Sequence, residues 1–290
     1  MILTQLEMPI NVFNITDWGV DLNRFQDTLR SHYEQYAWDL YLYRQNQIEY
    51  LKKHLPGRIL STIENSFWID FYSGKAPEQQ IRKLVERLPA DQIPGYQRIK
   101  KTRKRLIAEF NIRYDGFWRM ERIPARAFGQ EYALIRDRNS QDYRLAKRTF
   151  AEMPESLNNS DMKKILFGIA EDLAEKNGRI SFLNIIVHPT LLYCFADQPA
   201  SNSPEGIHQD GMDYIVSALV MERKDVIGGK SVVYGKDIRT KILETVLQAG
   251  QGILQPDKDT ELWHEVTPIR SAAGFESGYR STIGFDITVM

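Results

Sequence analysis

From about residue 180 onward the chain is a succession of short apolar segments broken by Gly, Asp and Pro, and no other feature limits its fold as much. "RISFLNIIVHPTLLYCFA", "DYIVSALVMER", "GGKSVVYG", "QGILQPD", "HEVTPIR" and "YRSTIGFDITV" follow one another with no regular helix between them. Runs of this length and composition are strands, and closely spaced strands without crossover helices predict an antiparallel sandwich or barrel instead of a parallel α/β sheet. "IRTKILETVLQAG" fits a strand or one helical passage equally by periodicity. Just upstream, "DYRLAKRTFAEM" carries strand character, and the amphipathic "MKKILFGIAEDLAEK" predicts one helix over roughly Ser160 to Lys176, ending at Gly178 as a C-cap.

The first part of the chain reads differently. Leu22, Phe25, Leu29, Tyr33, Tyr36, Ala37, Leu40 and Tyr41 return every three or four positions, one buried face of a long helix that stops near Pro56 and Gly57. Helical signals recur over 61–72, 78–88 and 98–111. The last of these contains "RIKKTRKR", Arg98 to Arg105, whose six basic residues in eight positions make nucleic acid a rival partner. Ile99, Leu106, Ile107 and Phe110 inward would make the run a solvated helix face instead. The whole chain, 38 basic and 38 acidic residues in 290, has zero formal net charge, hence no global field toward nucleic acid or an anionic membrane. Cys194 is the only cysteine, which excludes an intrachain disulfide and a Cys-based zinc cage and suits a cytoplasmic setting. No apolar run approaches the ~20 residues of a membrane span.

Chemistry enters at "EGIHQDGMDY", where His208 and Asp210 stand two apart and share a face if the segment is extended. An imidazole and a carboxylate suit a first-row divalent metal, and two His with one carboxylate on one octahedral face is the non-haem Fe(II) arrangement. A lone His-x-Asp also arises as an ordinary buried pair. The second His would be His264 in "ELWHEVTPI"; His188, just before Pro189 and therefore read as a strand-edge residue, competes for that place. Asp213 falls on the opposite face as a solvated or capping group, and helix ends suffice for His32 and His54. In "GYRSTIGFDI", Arg280 and Thr282 again share a face, and a guanidinium with a hydroxyl beside it is a carboxylate receptor. Taken alone, Arg-x-Thr is equally a rim salt bridge.

The order His208-x-Asp210, His264, Arg280-x-Thr282 resembles the Fe(II)- and 2-oxoglutarate-dependent dioxygenases. "GGKSVVYG" and "WHEVTPI" are similar to the bacterial branch that includes L-isoleucine 4-hydroxylase. The resemblance covers roughly Arg98 to the C-terminus. It implies a double-stranded β-helix, a cupin-like jelly-roll spanning 96–290, preceded by a helical extension over 1–95 that has no counterpart in the shorter members. It further implies Fe(II), 2-oxoglutarate and O₂ as cofactor and co-substrates, with His208, Asp210 and His264 as iron ligands and Arg280, assisted by Thr282, at the distal carboxylate of 2-oxoglutarate. An aspartate at 210, where the family's halogenases carry a small residue, points to hydroxylation or another oxidative outcome instead of chlorination.

Expectations for the rest of the pocket are thinner. Ser231 in "GGKS" is a candidate for the co-substrate; Arg144 and Arg148, with Tyr143 nearby, are candidates for a substrate carboxylate; Tyr193, Trp118 and Tyr132 are candidate aromatic walls. The expected substrate is a small molecule, a free L-amino acid or a derivative, with no nucleic acid or membrane partner, and a homodimer through the N-terminal helices is a further expectation. Two other functions fit the same fold: a nucleic-acid demethylase and a non-catalytic cupin-like binding protein.

Overall fold

A computed structural model of the chain describes residues 10–127, 143 and 146–290. In chain order its first elements are β1 (Asn11–Asn14), α1 (Leu22–His32), β2 (Ala37–Trp38), α2 (Leu40–His54), α3 (Gly57–Leu60), α4 (Asn65–Ser73), α5 (Glu78–Val85) and α6 (Ile93–Gln97). Then come β3 (Arg103–Arg105), β4 (Ala108–Tyr114), β5 (Trp118–Ile123), α7 (Ser160–Lys176), β6 (Phe182–Phe195) and β7 (Tyr214–Lys224). The last are β8 (Val226–Gly228), β9 (Ser231–Tyr234), β10 (Lys241–Thr245), β11 (Gln251–Pro256), β12 (Trp263–Val266), β13 (Ile269–Ser271) and β14 (Ser277–Val289).

These elements form two compact units, one from Met1–Ala37, Lys104–Arg126 and Phe150–Met290, the other from Trp38–Arg103 and Ala127–Thr149. The division does not fall at a single point of the chain, because β1 pairs in register with β11 and brings the start of the chain onto the strand-rich unit.

In the strand-rich unit the large sheet runs β1-β11-β7-β14-β6, with β4 paired to β6 and β5 to β4, all antiparallel. A smaller sheet runs β10-β9-β12, and β8 pairs with β13. Successive residues of a strand point to opposite faces, so the thirteen-residue register between β14 and β6 sorts their side chains cleanly. Leu183, Ile185, Val187, Ile283, Phe285 and Ile287 share one face, buried against α7. That helix offers Met162, Ile165, Leu166, Ile169 and Leu173 at helical spacing, and Asn159 caps its start by accepting from the N–H groups of Asp161 and Met162. It closes at Asn177 in extended conformation, one residue before the expected Gly178. The opposite face of the large sheet meets the small one: Leu243, which shares a face with Val233 and His264, packs on Ala218, Val220 and Ile253. Two antiparallel sheets face to face with helices outside one of them are the jelly-roll expected above.

The helical unit has its own core of Ile48, Leu51, Trp68, Phe71, Tyr72 and Tyr143. Two expected helices are not formed as read. The passage from Leu22 to Tyr41 breaks after His32, because Tyr36 turns extended and the side chain of Asp39 caps a new helix by accepting from Tyr41 and Leu42 N–H at 3.1 Å each. The passage from Arg98 to Asn111 is strand from Arg103 on: Ala108, Phe110 and Ile112 alternate into the core opposite Val187, Ile185 and Leu183, and pairing with β6 overrides the helical spacing. The basic run is accordingly not a solvated helix face. Arg103 forms a buried ion pair with Asp39 at 2.8 Å, Lys104 is buried, and Arg105 meets His188 at 2.8 Å.

Candidate functional site

His208 and His264 lie opposite each other in an isolated antiparallel bridge, joined by two backbone hydrogen bonds of 3.0 Å, with their ring centroids 4.4 Å apart. Nδ1–H of His208 donates to the carbonyl of Gly206 at 2.9 Å, so a neutral ring carries its free lone pair on Nε2. That nitrogen is 3.5 Å from Oδ1 of Asp210, whose Oδ2 is 3.3 Å from Nε2 of His264. Among the described residues these three form the one metal-competent group, with one donor atom from each within 4.8 Å of the others. Burial opposes the charge on His208, yet the carboxylates of Glu205 and Asp210 outweigh it and push the imidazole up to about 10. Burial likewise opposes ionisation of Asp210, but hydrogen bonds from both histidines and their charge hold it well below the usual carboxylate range. Two imidazole nitrogens and a carboxylate oxygen on one side of a point fit a first-row divalent ion and leave its other side open.

His188 does not compete for that place. It sits inside the large sheet, its Nε2 2.9 Å from Oδ2 of Asp286 and its Nδ1 2.8 Å from Arg105, so both ring nitrogens are engaged. The edge position inferred from Pro189 is corrected by the register, since β6 has β14 on one side and β4 on the other. Asp213 accepts from Val289 N–H and pairs with Lys258, the capping role expected of it.

Arg280 and Thr282 share the inner face of β14. Arg280 is 0% exposed, and its Nε, Nη1 and Nη2 have no hydrogen-bond partner among the described residues. Burial, then the nearby charge of Arg223, lower its pKa to about 9. Three unsatisfied donors on a buried cation are expensive, and a carboxylate with two oxygens is the ligand that matches their planar fork. Asn202 donates to the Thr282 hydroxyl at 3.5 Å, which leaves that hydroxyl's own proton available. Ser231 has its Oγ buried without a partner among the described residues, and by strand alternation it shares a face with Val233 and His264.

Tyr193 faces away from these groups: it pairs directly with Tyr279, on the side of β14 opposite Arg280, and the two rings lie 6.0 Å apart. Trp118 packs at the margin of the apolar core. Tyr143 and Arg148 belong to the helical unit, where Tyr143 packs on Tyr72. Arg144 and Tyr132 lie outside the described residues.

Three residues of the site escaped sequence reading. Asp257, fully buried, accepts from Gly211 and Met212 N–H at 2.6 and 3.2 Å and places Oδ1 3.7 Å from Nδ1 of His264. Burial, then the charge of Asp210, push its carboxyl up to about 6. Gln209 turns away from its neighbours and donates through Nε2 to the carbonyls of Asp257, Thr260 and Leu262 at 2.7–3.2 Å. Together they latch the His208–Asp210 loop to the turn before His264. Glu205 reaches within 3.4 Å of His208 Nε2. Gln209 lies inside the His-x-Asp motif itself, and that was the only local signal for any of the three.

Comparisons with known proteins bear on the family and the fold. The sequence profile described as 2OG-Fe dioxygenase matches residues 82–286. Among solved structures, a bsmA homolog from Methylobium petroleophilum PM1 is similar at 20% identity and a TM-score of 0.54, covering 66% of this chain and 73% of that one. IDO from Bacillus thuringiensis is similar at 16% identity and a TM-score of 0.50, covering 65% of this chain and 75% of that one. At these identities the likeness bears on the fold. No curated protein matches the chain.

Proposed function

Because the chain belongs to the 2OG-Fe dioxygenase family and is a 2-oxoglutarate-dependent dioxygenase using Fe(II) and O₂, we propose that His208, Asp210 and His264 hold the iron. Arg280, with Thr282 and Ser231, receives the distal carboxylate of 2-oxoglutarate. The observations that carry this reading are a converging His/Asp/His group and a buried Arg280 whose three nitrogens have no partner among the described residues. When bound, iron with the co-substrate and O₂ supplies the power to oxidise a C–H bond, 2-oxoglutarate being split to succinate and CO₂.

The chain's own part is placement. Gly206 O fixes the tautomer of His208, and the latch through Asp257 and Gln209 keeps Asp210 beside His264. Arg280 orients the co-substrate by its far end, and the closely packed interior around it keeps water from competing.

The substrate we assign is a free L-amino acid or close derivative, hydroxylated as in the branch of L-isoleucine 4-hydroxylase. Glu205 supports this, because a carboxylate beside the iron-facing nitrogen of His208 is suited to receive a substrate ammonium group. A cytoplasmic setting goes with the single, buried Cys194.

The test is anaerobic loading with Fe(II) and 2-oxoglutarate, then oxygenation with single amino acids, N-acyl amino acids and dipeptides, reading succinate and a mass gain of one oxygen. Succinate release above background with at least one free amino acid is expected, and its loss in His208→Ala, Asp210→Ala and His264→Ala. If only larger metabolites stimulate turnover, the amino-acid assignment fails. Full activity in any of the three variants removes that residue from the iron site.

A further inference from the structure

Directly across from Arg280, in register on β7, stands a second arginine, Arg223. Register partners on an antiparallel pair share a face, with Cβ atoms roughly 5 Å apart. Strand period alone would turn Arg223 outward, since Val220 lines the inside opposite Thr282 and a residue three further along points the other way. Between the pairs Thr282–Val220 and Ser281–Glu222 the register slips by one residue, and this β-bulge reverses the alternation. Glu222 consequently faces outward to Arg30 and Tyr33, and Arg223 faces inward with Arg280.

The surroundings hold Arg223 in place and leave one end unmatched. Nη2 donates to the carbonyl of Gly228 at 2.7 Å, whereas Nη1 is buried without a partner among the described residues. Gly229, at φ +65°, lets the backbone close over both arginines: a Cβ there would sit 3.2 Å from Arg223 Nη1 and 3.4 Å from Arg280 Cδ. Burial lowers the pKa of both guanidiniums, and no carboxylate of the described residues acts to raise either. Like charges opposite each other on a sheet are destabilising, and a buried charge without a counterion more so. Arg280, fully buried, and Arg223, half-buried with its Nη1 solvent-free, have four nitrogens between them without a partner among the described residues and describe a receptor for an anion with more than one oxygen.

We propose that Arg223 is a second anion-holding residue of the co-substrate pocket, so that the distal carboxylate of 2-oxoglutarate is received between two guanidiniums. The inference rests on the reading of Arg280 as the co-substrate anchor, and it makes the pocket selective for 2-oxo acids that carry a distal anion.

Calorimetric binding of 2-oxoglutarate to the Mn(II)-loaded protein tests it, with KM and kcat from succinate release as a second readout. Arg223→Gln is expected to weaken binding and raise KM roughly ten- to thirtyfold, with kcat at saturating co-substrate within about twofold and no fall in Tm. Arg223→Lys keeps the cation without the fork and is expected between the two. Pyruvate, which lacks the distal carboxylate, should bind equally to wild type and Arg223→Gln. Wild-type affinity for 2-oxoglutarate in either variant overturns the proposal, as does an equal loss for pyruvate or a fall in kcat at unchanged KM, which would mark a structural role. If Arg223→Gln does not fold, the lysine variant decides on the same criteria. Failure of the wild-type protein to bind 2-oxoglutarate at all would instead overturn the reading of Arg280.

Discussion

The two faces of β14 obey different rules. Outward, Ile283, Phe285 and Ile287 are essentially solvent-free and belong to the apolar core formed with β4, β6, β7 and α7. Each such side chain contributes about 1.5–3 kcal/mol by leaving water. Inward, the same strand carries Arg280, Thr282 and Asp286, also buried, with Arg280 unmatched by any acid among the described residues. One face holds the fold together, and the other gives up stability to keep donors ready for a ligand. A site of this kind can exist only on a scaffold whose other face is secure.

The sharpest way to separate the faces is to remove a metal donor. His264→Ala should lower Mn(II) or Co(II) affinity by a thousandfold or more, above ~4 kcal/mol, while the Tm of the metal-free protein moves by only a few degrees. Retention of affinity within tenfold would break the assignment of the inner face.

On the outer face the pattern should invert. Phe285→Ala should cost ~3–5 kcal/mol of unfolding free energy in denaturant titration and leave 2-oxoglutarate affinity of the folded protein unchanged. A loss below about 1 kcal/mol would deny that face its structural role.

Arg280→Met joins the two readouts with opposite signs. Co-substrate affinity should fall by ~1.5–3 kcal/mol, about ten- to a hundredfold, whereas the ligand-free protein should be as stable as wild type or more so, an unpaired buried charge having gone. A destabilisation like that of Phe285→Ala would erase the contrast.

The smallest effect is a slope. His208 is held protonated up to about 10 in the metal-free protein by Glu205 and Asp210, and a metal must displace that proton. Affinity for Mn(II) should therefore rise about tenfold per pH unit between roughly pH 6.5 and 9, ~1.4 kcal/mol per unit. The folded pKa is raised, so the stability this proton contributes to the metal-free protein is complete below the unfolded value of ~6.5 and is lost as pH climbs toward 10. Higher pH should then strengthen metal binding and weaken the metal-free fold; a flat affinity profile would show that no proton leaves.

Much of this was legible beforehand because it depended on neighbours in the chain. Arg280 and Thr282 share a face since strand residues two apart always do, and the helix over Ser160–Lys176 announced itself by its apolar spacing. His208 and Asp210 were picked out by the same spacing, although it is the bridge to His264 that brings the donors together. Where two periodicities competed the reading failed: Ile99, Leu106, Ile107 and Phe110 fit a helix until β6 supplied a strand to pair with. Tyr193 was read as a candidate wall of the substrate pocket, and its pairing with Tyr279 turns it to the face opposite Arg280.

By itself, then, the sequence determined the strand-rich class, the residue types of the metal-competent group and the Arg-x-Thr pair proposed to hold an anion, all set by alternation within a few residues. The tertiary structure decided that His188 is engaged by Arg105 and Asp286, that Asp257 and Gln209 latch the His208–Asp210 loop, and that Arg223 faces inward. The physical reason is that register, bulges and loop closure are properties of pairs of strands. Arg223 turns inside because β7 carries one extra residue where Ser281 and Thr282 of β14 meet Glu222 and Val220, and that count exists only once the two strands are side by side.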